Sequence, residues 1–269
     1  MPPDKVNDAE NADFKQPAIR KEKLLKHLFL RPRRRRFLIM LLVFLVFLGG
    51  YAMYSATRLQ EKGVEEHYTH RGEIKQYSLK DGSQLKLDTE SRAVVAYDHD
   101  SRAVKLLSGR ARFAVSENRD EQRPFQVTAN GVTVESDTGN FVVDIAENKV
   151  SVCPLDQVVT THFGGKTETV GPGQRLEILP EGRAKVFQRQ YTDIDWLSGA
   201  LVLDKVPLSE AIEMINSYRA VPVVLMNNDK QNVVIDSVLY LNQMDDDVER
   251  LMLSLGLTRE SLPGSEAYR

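Results

Sequence analysis

The chain has 269 residues, of which 42% are hydrophobic, so it is long enough and apolar enough to bury a substantial core. Its formal net charge is −2, but residues 1–36 carry 11 basic and 5 acidic side chains, which leaves −8 for residues 37–269. The single cysteine, Cys153, excludes an internal disulfide, and we interpret it as a small apolar strand residue.

The first 36 residues predict a basic tail. Residues 1–18 are polar, contain three prolines and have no apolar periodicity, so they are typical of disorder. Residues 19–30 gather leucines among lysines and arginines, which predicts a short amphipathic helix. Two roles stay open for that helix: lying on the inner leaflet of a membrane, or docking a cytoplasmic protein.

Residues 37–54 form an uncharged apolar run of 18 residues, and they predict one N-terminal transmembrane helix. At ~1.5 Å per residue the run reaches ~27 Å, close to the ~30 Å of a bilayer core. It is preceded by the arginines that set its orientation: Arg31, Arg33, Arg34, Arg35 and Arg36. Because positive residues stay inside, we expect a cytoplasmic N-terminus and periplasmic C-terminal domains, in the inner membrane of a bacterium with two membranes. Cleavage as a signal peptide after residues 50–52 is the alternative.

This topology sets the expected partners of the basic segment. Because the membrane abuts the five arginines, lipid headgroups are the nearer polyanion, and we expect no direct nucleic-acid partner.

Residues 55–75 read as a charged linker, and residues 76–190 as a mainly β periplasmic domain. Asp81-Gly82 and Asn130-Gly131 each separate two alternating segments, and these dipeptides tolerate the positive φ angles of hairpin turns. Further short strands are predicted between turn signals at Arg92–Tyr97, Val104–Leu107, Arg110–Val115, Phe141–Ile145, Lys149–Cys153, Val158–His162 and Gln174–Leu179.

Residues 191–258 predict a small mixed α/β, βαβ-like domain. A strand at Ala200–Leu203 precedes a helix from Leu208 to Tyr218, whose apolar residues recur on one face. Strands at Val221–Leu225 and Val233–Leu241 follow.

A final helix is expected to start at an Asp246/Glu249 capping box and to stop at Gly256, with residues 259–269 as a flexible tail.

An apolar groove and strand edges in this small domain could accept another protein domain. The candidate partner-binding residues are Trp196, Leu201, Leu203, Leu208, Ile212, Ile215, Leu251 and Leu255.

Catalytic, cofactor and metal chemistry are not expected. His67 and His70 could share a helical face, but they have no third ligand nearby in the sequence. The segment 164–167, GGKT, lacks the first glycine of a phosphate loop and predicts a β-turn instead. The acidic run 245–247 is explained by its place at a helix start, so we expect no enzyme.

A family resemblance covers about residues 76–257. Six segments, in order and at compatible spacing, resemble the FecR periplasmic domain of bacterial cell-surface signalling regulators: LKDGSQLKL (79–87), VKLLSGRARFAV (104–115), RPFQV (123–127), TGNFVV (138–143), NKVSV (148–152) and VGPGQRLEI (170–178). Where that family shows Gly-Thr-x-Phe, this chain has SDTGNF at 136–141, so we expect a different local turn there. The stretch from Asp195 to Tyr218 is similar to the family's C-terminal region, which leads into a small fold like the secretin and TonB short N-terminal domain.

The resemblance implies a single-pass signal transducer. Its partners would be the signalling domain of an outer-membrane TonB-dependent receptor and an extracytoplasmic-function sigma factor, often with stepwise proteolysis. The family's usual anti-sigma helix bundle does not fit into 36 residues, so the segment 19–30 is either a minimal sigma-binding element or the chain senses without antagonising a sigma factor directly. A membrane-tethered scaffold or envelope-binding module is the alternative function.

Overall fold

The computed structural model describes residues 39–51, 53, 63–97, 101–117, 123–226 and 228–269, in two compact units, Met1–Leu59 and Gln60–Arg269. In the first unit, residues 39–51 and 53 are helical with exposed apolar side chains. No helix within the described residues combines the length and the apolar character that a membrane crossing requires. The predicted tail 1–36 with its arginines, and residues 37, 38, 52 and 54 of the apolar run, lie outside the described residues. The membrane span therefore stays a prediction.

The second unit is mainly β, as predicted, and thirteen of its strands belong to one curled sheet, the β module. These strands are β1 Gly63–Tyr68, β2 Lys75–Ser78, β3 Gln84–Leu87, β4 Arg92–Tyr97, β5 Arg102–Val115, β6 Phe125–Ala129, β7 Val132–Ser136, β8 Gly139–Ala146, β9 Lys149–Pro154, β10 Val159–Phe163, β11 Lys166–Val170, β12 Gln174–Ile178 and β13 Ala184–Gln188.

Strand β5 is shared by the two halves of this sheet. The first half has the strand order β1-β4-β5-β6-β7-β10-β11, and the second has the order β2-β3-β5-β8-β9-β12-β13. Residues Arg102–Leu106 of β5 run parallel to β6, whereas Gly109–Val115 run antiparallel to β8. The change of partner takes place at Leu107–Gly109, within one continuous strand.

The prediction of two separate strands, broken at Gly109, is therefore wrong. Gly109 has a φ of 72°, and a Cβ atom at this position would lie 2.8 Å from Cα of Ser91. A glycine allows a strand to bend and another backbone to approach closely without ending the strand. The residue that predicted a break instead bends β5 from one half-sheet into the other.

The inner faces of both half-sheets contribute to one hydrophobic core. Phe113 on β5 lies at its centre, with ring centroids 6.0 Å from Phe125 on β6 and 5.3 Å from Phe141 on β8. All three rings are fully buried. Alternating burial along β6 and β7 follows the period of two that the sequence predicts.

The two predicted hairpins are confirmed, but three strands were missed: β1, β11 and β13. Asn130 and Gly131, with φ of 44° and 79°, form the turn between β6 and β7, and Asp81-Gly82 lies between β2 and β3. Strand β1 lies inside the predicted linker 55–75 and pairs with β4. Its sequence, GVEEHY, has few apolar residues, so periodicity does not reveal it.

The C-terminal domain is mixed α/β, as predicted. It contains β14 Ala200–Pro207, α1 Leu208–Ser217, β15 Val223–Leu225, β16 Val234–Tyr240, α2 Met244–Ser254, β17 Arg259–Leu262 and β18 Ser265–Tyr268. Strand β14 pairs antiparallel with β16, while β15 runs parallel to β18 in a separate sheet completed by β17. Because β14 and β15 belong to different sheets, the expected βαβ unit does not form.

Two further expectations for this domain are wrong. Residues 259–269 are not a flexible tail: they form the hairpin β17–β18, and Ala267 and Tyr268 are buried because β18 pairs with β15. Helix α2 begins at Met244 without a side-chain cap, so the capping box at Asp246 does not form. Gly256, with a φ of 69°, follows the end of α2 as predicted.

We expect Gly109→Ala to lower the free energy of unfolding by about 3 kcal/mol, since a left-handed penalty of ~1–2 kcal/mol adds to a steric cost of ~1–3 kcal/mol. Gly131→Ala is the matched control, because its φ is also positive but no atom lies within 4 Å of the new Cβ. It should cost about 1–2 kcal/mol. Urea denaturation of the full chain in detergent, followed by circular dichroism, measures both; equal losses would contradict the close approach at Gly109.

Candidate functional site

The residues predicted to bind a partner lie in the interior. Leu201, Leu203, Leu208, Ile212 and Ile215 are core residues of the C-terminal domain, and Leu251 and Leu255 pack half-buried against the same core. Trp196 is also fully buried, in a separate cluster with Val142 and Cys153. Their apolar pattern marks packing between β14, α1, α2 and neighbouring strands. The buried members of the set are covered in the folded chain, whereas Leu251 and Leu255 keep part of their surface exposed.

Trp196 fastens the C-terminal domain to the β module. It lies in a single turn of 3-10 helix, Asp195–Ser198, and packs against Val142 on β8 and Cys153 on β9. The guanidinium of Arg110 lies 5.2 Å from the Trp196 ring centroid, and Nζ of Lys86 lies 5.6 Å from it. Such cation–π contacts are stronger in buried settings. We call this contact region the seam.

The carboxylate of Asp195 positions the tryptophan. Its Oδ1 accepts a hydrogen bond of 2.7 Å from the backbone N–H of Trp196, and its Oδ2 accepts one of 2.7 Å from that of Val202. Burial raises the pKa of Asp195, although these two hydrogen bonds oppose the shift. One side chain thus ties the 3-10 turn to the start of β14.

A triad of polar side chains, buried Asp88 with half-buried Arg110 and Tyr218, completes the seam. Nε and Nη2 of Arg110 donate to Oδ2 of Asp88 at 2.8 and 2.6 Å, and Tyr218 donates its hydroxyl proton to the same oxygen at 3.0 Å. Nη2 of Arg110 also donates to the Tyr218 hydroxyl at 2.8 Å. Burial, followed by the Asp88 carboxylate, raises the pKa of Tyr218 far above its usual value, so the phenol stays protonated.

Asp88 is the first residue of the turn 88–91, which joins β3 in one half-sheet to β4 in the other. The hydroxyl of Thr89 donates to the carbonyl of Ser217 at the end of α1, at 2.7 Å. Ser91 accepts from the N–H of Arg110 and donates to its carbonyl, at 3.0 and 3.1 Å, beside the bend of β5. The turn therefore contacts both half-sheets and the C-terminal domain.

An exposed apolar surface remains on the outer side of the two-stranded sheet β14–β16. Val234, Val238 and Tyr240 are exposed on β16, with Asp236 between them. Val202 on β14 is half-buried and lies directly opposite Val238. We call these residues the β14–β16 face. It lies on the side of β16 opposite the core residues Ile235 and Leu239.

The structure also places the residues considered for other chemistry. His67 lies on β1 and His70 follows it, so the two are not on a helix. Within the described residues no cluster of three or more potential metal ligands occurs. Within the segment 164–167, Gly164 and Gly165 form the predicted turn between β10 and β11, and Lys166 and Thr167 begin β11. Burial raises the pKa of the Cys153 thiol to about 11, which keeps it in the unreactive protonated form.

These features define a β-rich module joined by a polar seam to a small mixed domain with one exposed sheet face. Residues 65–159 match the protein-family model described as FecR protein. This part of the β module is therefore similar to the FecR proteins.

Two crystal structures share the fold. Both are of a "putative anti-sigma factor" from Parabacteroides distasonis ATCC 8503, at 2.50 and 1.65 Å resolution. Each has 20% identity and a TM-score of 0.60, and the match covers 76% of this chain and 98% of the other. No curated protein matches the sequence. At this identity the likeness shows a common fold for the β module and the C-terminal domain.

Tyr218→Phe should destabilise the seam by about 1–2 kcal/mol, because it removes the hydrogen bonds of one buried hydroxyl. The sole tryptophan, Trp196, reports on the seam by its fluorescence during urea denaturation. Tyr191→Phe is the control, since its hydroxyl contacts Ser198 at the surface and its removal should cost less than about 0.5 kcal/mol. Similar losses in the two variants would contradict a stabilising seam triad.

Asp144 gives the seam a pH dependence. It lies opposite Arg110 in the β5–β8 register, and burial raises the pKa of its carboxyl above 3.8 although Arg110 opposes the shift. The folded chain then holds this proton more tightly than the unfolded chain, so ionisation costs stability as the pH rises from about 3.8 through the folded pKa.

Asp144→Asn should therefore stabilise the chain at pH 7, and the gain should disappear as the pH falls towards 3.8. Denaturation curves between pH 3 and pH 7 measure this difference. Asp137→Asn, which removes an exposed carboxylate on the same module, should show no such pH-dependent gain. A gain for Asp144→Asn that persists unchanged at low pH would contradict the raised pKa.

Proposed function

We propose that the chain is a single-pass inner-membrane signal transducer that senses a periplasmic protein and regulates an extracytoplasmic-function sigma factor. The FecR match at residues 65–159 carries the proposal, because the family that this part of the β module resembles is one of bacterial cell-surface signalling regulators. The anti-sigma description of the two crystal structures with the same fold supports a sigma factor as the output.

The proposed membrane topology rests on the sequence. The uncharged run 37–54 and the five arginines directly before it favour a cytoplasmic N-terminus, with the FecR domain in the periplasm. Two alternatives then stay open for the basic tail 1–36: the segment 19–30 is a minimal sigma-binding element, or the chain senses without antagonising a sigma factor directly.

The β14–β16 face is the proposed site for the periplasmic partner, the signalling domain of a TonB-dependent receptor. It exposes three large apolar side chains on one face of a short strand, and exposed apolar side chains grouped in this way often mark a surface that binds another protein. The backbone edges of this two-stranded sheet are partly occupied, since the N–H of Val202 donates to Asp195 and the N–H of Tyr240 donates to Asp247. The proposed contact therefore uses the side chains of the face.

The aromatic residues of the β module do not favour binding to an envelope polysaccharide instead. Phe113, Phe125 and Phe141 are fully buried, and Tyr97 is half-buried with its hydroxyl bonded to Asp81. Sugar binding would use exposed rings in a row, and these rings pack inside the core. The receptor domain is therefore the partner we propose to test first.

Val238→Lys should weaken binding of the receptor signalling domain at least about tenfold, because a charge replaces an apolar contact in the centre of the face. The matched control is Val186→Lys on β13: the two valines are 47% and 46% exposed, respectively. Titration calorimetry with the full chain and the receptor domain encoded nearest to its gene measures both. Unchanged affinity for Val238→Lys would contradict this site, and binding of cell-wall fragments alone would favour the scaffold function.

A reporter fused after Arg269 tests the topology. We expect a phosphatase that folds only in the periplasm to be active there, and a cytosolic β-galactosidase to be inactive, because the arginines keep the N-terminus inside. Replacing Arg33–Arg36 with glutamate should reduce the phosphatase activity. A fusion active only as β-galactosidase would contradict the proposed function.

A further inference from the structure

We propose that the turn 88–91 couples the C-terminal domain to strand β1, so that a change at the end of α1 alters how firmly β1 is held on the β module. The inference rests on the proposed function for its biological use, since β1 is the first strand after the apolar run. The mechanism of the coupling rests on the hydrogen bonds that the turn 88–91 makes to both elements. Binding at the C-terminal domain would then reach the chain segment that leads to the membrane.

Strand β1 is attached by polar contacts at an edge of the sheet. Among the residues the structure describes, the hydrophobic core of the β module includes no member of β1. Its side chains are held mainly by ion pairs: Glu66 pairs with Arg92, and Glu65 pairs with Lys80 at 2.9 Å. In addition, the His67 ring packs on Tyr77 with a centroid distance of 4.3 Å, and the Tyr77 hydroxyl donates to the Tyr68 carbonyl at 3.1 Å. Both ion pairs are largely exposed and therefore contribute little.

The buried attachment of β1 lies immediately after its last residue, at Thr69. The backbone N–H of Thr69 donates to the carbonyl of Ser91 at 2.9 Å, and its hydroxyl accepts from the N–H of Ser91 at 3.0 Å. The same hydroxyl donates to the carbonyl of Asp88. Both ends of the turn 88–91 thus hold the end of β1, and all three residues are buried.

The other side of the same turn holds the end of helix α1. Oδ2 of Asp88 accepts the Tyr218 hydroxyl proton, and the Thr89 hydroxyl donates to the Ser217 carbonyl while accepting from the N–H of Gly72 at 2.9 Å. Gly72 follows β1, and a Cβ atom there would lie 2.8 Å from the carbonyl oxygen of Tyr218. A four-residue turn therefore contacts both elements directly, and no long chain of side chains is needed between them.

Glu90 shows that the turn has a defined shape. It has a φ of 48°, in the left-handed region that side chains other than glycine rarely adopt. The flanking residues Asp88 and Ser91 are fixed by hydrogen bonds to both sheet halves and to α1, and they hold Glu90 in this conformation. Loss of the bonds on the α1 side would leave the turn with fewer restraints on the geometry it presents to Thr69.

Hydrogen–deuterium exchange of the full chain in detergent micelles tests the coupling without any partner. In Tyr218→Phe the exchange of the β1 amides, residues 63–68, should accelerate about fivefold, the effect expected for the loss of about one hydrogen bond. Within the part of the chain that the structure describes, the Tyr218 side chain bonds to Asp88 and Arg110 and not to β1, so this effect would pass through the turn. Thr89→Val should have the same effect, since it removes the bonds to Ser217 and Gly72.

Two internal controls separate coupling from general destabilisation. The hairpin β10–β11 lies at the other edge of the same half-sheet, and its exchange should not change in either variant. Tyr191→Phe, in the C-terminal domain but outside the seam triad, should leave β1 unchanged. Unchanged β1 exchange in both Tyr218→Phe and Thr89→Val would overturn the coupling, as would equal acceleration in β1 and β10–β11.

A disulfide clamp gives a second measurement. Val64 and Ala96 are directly opposite in the β1–β4 register, so V64C with A96C should cross-link β1 and cancel the acceleration caused by Tyr218→Phe. The pair T160C and T169C, opposite in β10–β11, is the matched clamp that should not. These outcomes do not depend on the receptor, so failure of the coupling and failure of the proposed function are distinguishable.

Discussion

The bend of β5 at Gly109 is the constraint on which the rest of the structure depends. One strand carries the hydrogen bonding of both half-sheets, and the change of partner is possible because Gly109 lets the backbone of Ser91 come into contact. The inner faces of the halves then enclose one core around Phe113. The turn 88–91 has to cross from one half to the other at the same place, which explains why buried polar groups gather there.

Burying these polar groups costs free energy, and the cluster forms only when its members are in one arrangement. A buried carboxylate such as Asp88 is tolerated only with charged and hydrogen-bonding partners, and removing one partner of such a pair costs about 3–5 kcal/mol. Arg110 comes from the β module and Tyr218 from the C-terminal domain, so Oδ2 of Asp88 has both partners only when the two domains are in one arrangement. The Trp196 ring packs beside this polar cluster and makes cation–π contacts with Arg110 and Lys86.

Local patterns predicted the local elements well. The Asn130-Gly131 hairpin and the helix Leu208–Ser217 formed as expected, because turn chemistry and one-sided apolar spacing act within a few residues. Strand β1 and the hairpin β17–β18 were missed because their stability comes from distant partners, β4 and β15, rather than from their own composition. The βαβ expectation failed for a related reason: order along the chain does not state which strands pair.

The sequence by itself determined the FecR resemblance, the β-rich character of the module and the mixed character of the C-terminal domain. Only the tertiary structure decided that Trp196 and the leucines around α1 are interior, and that Val234, Val238 and Tyr240 form the exposed face. The physical reason is that apolar residues recur with the same sequence spacing whether they pack in the core or form an exposed binding surface. The seam likewise joins Tyr218 to Arg110, 108 positions earlier in the chain, and to Asp88, 130 positions earlier. Such contacts arise only when the whole chain has folded.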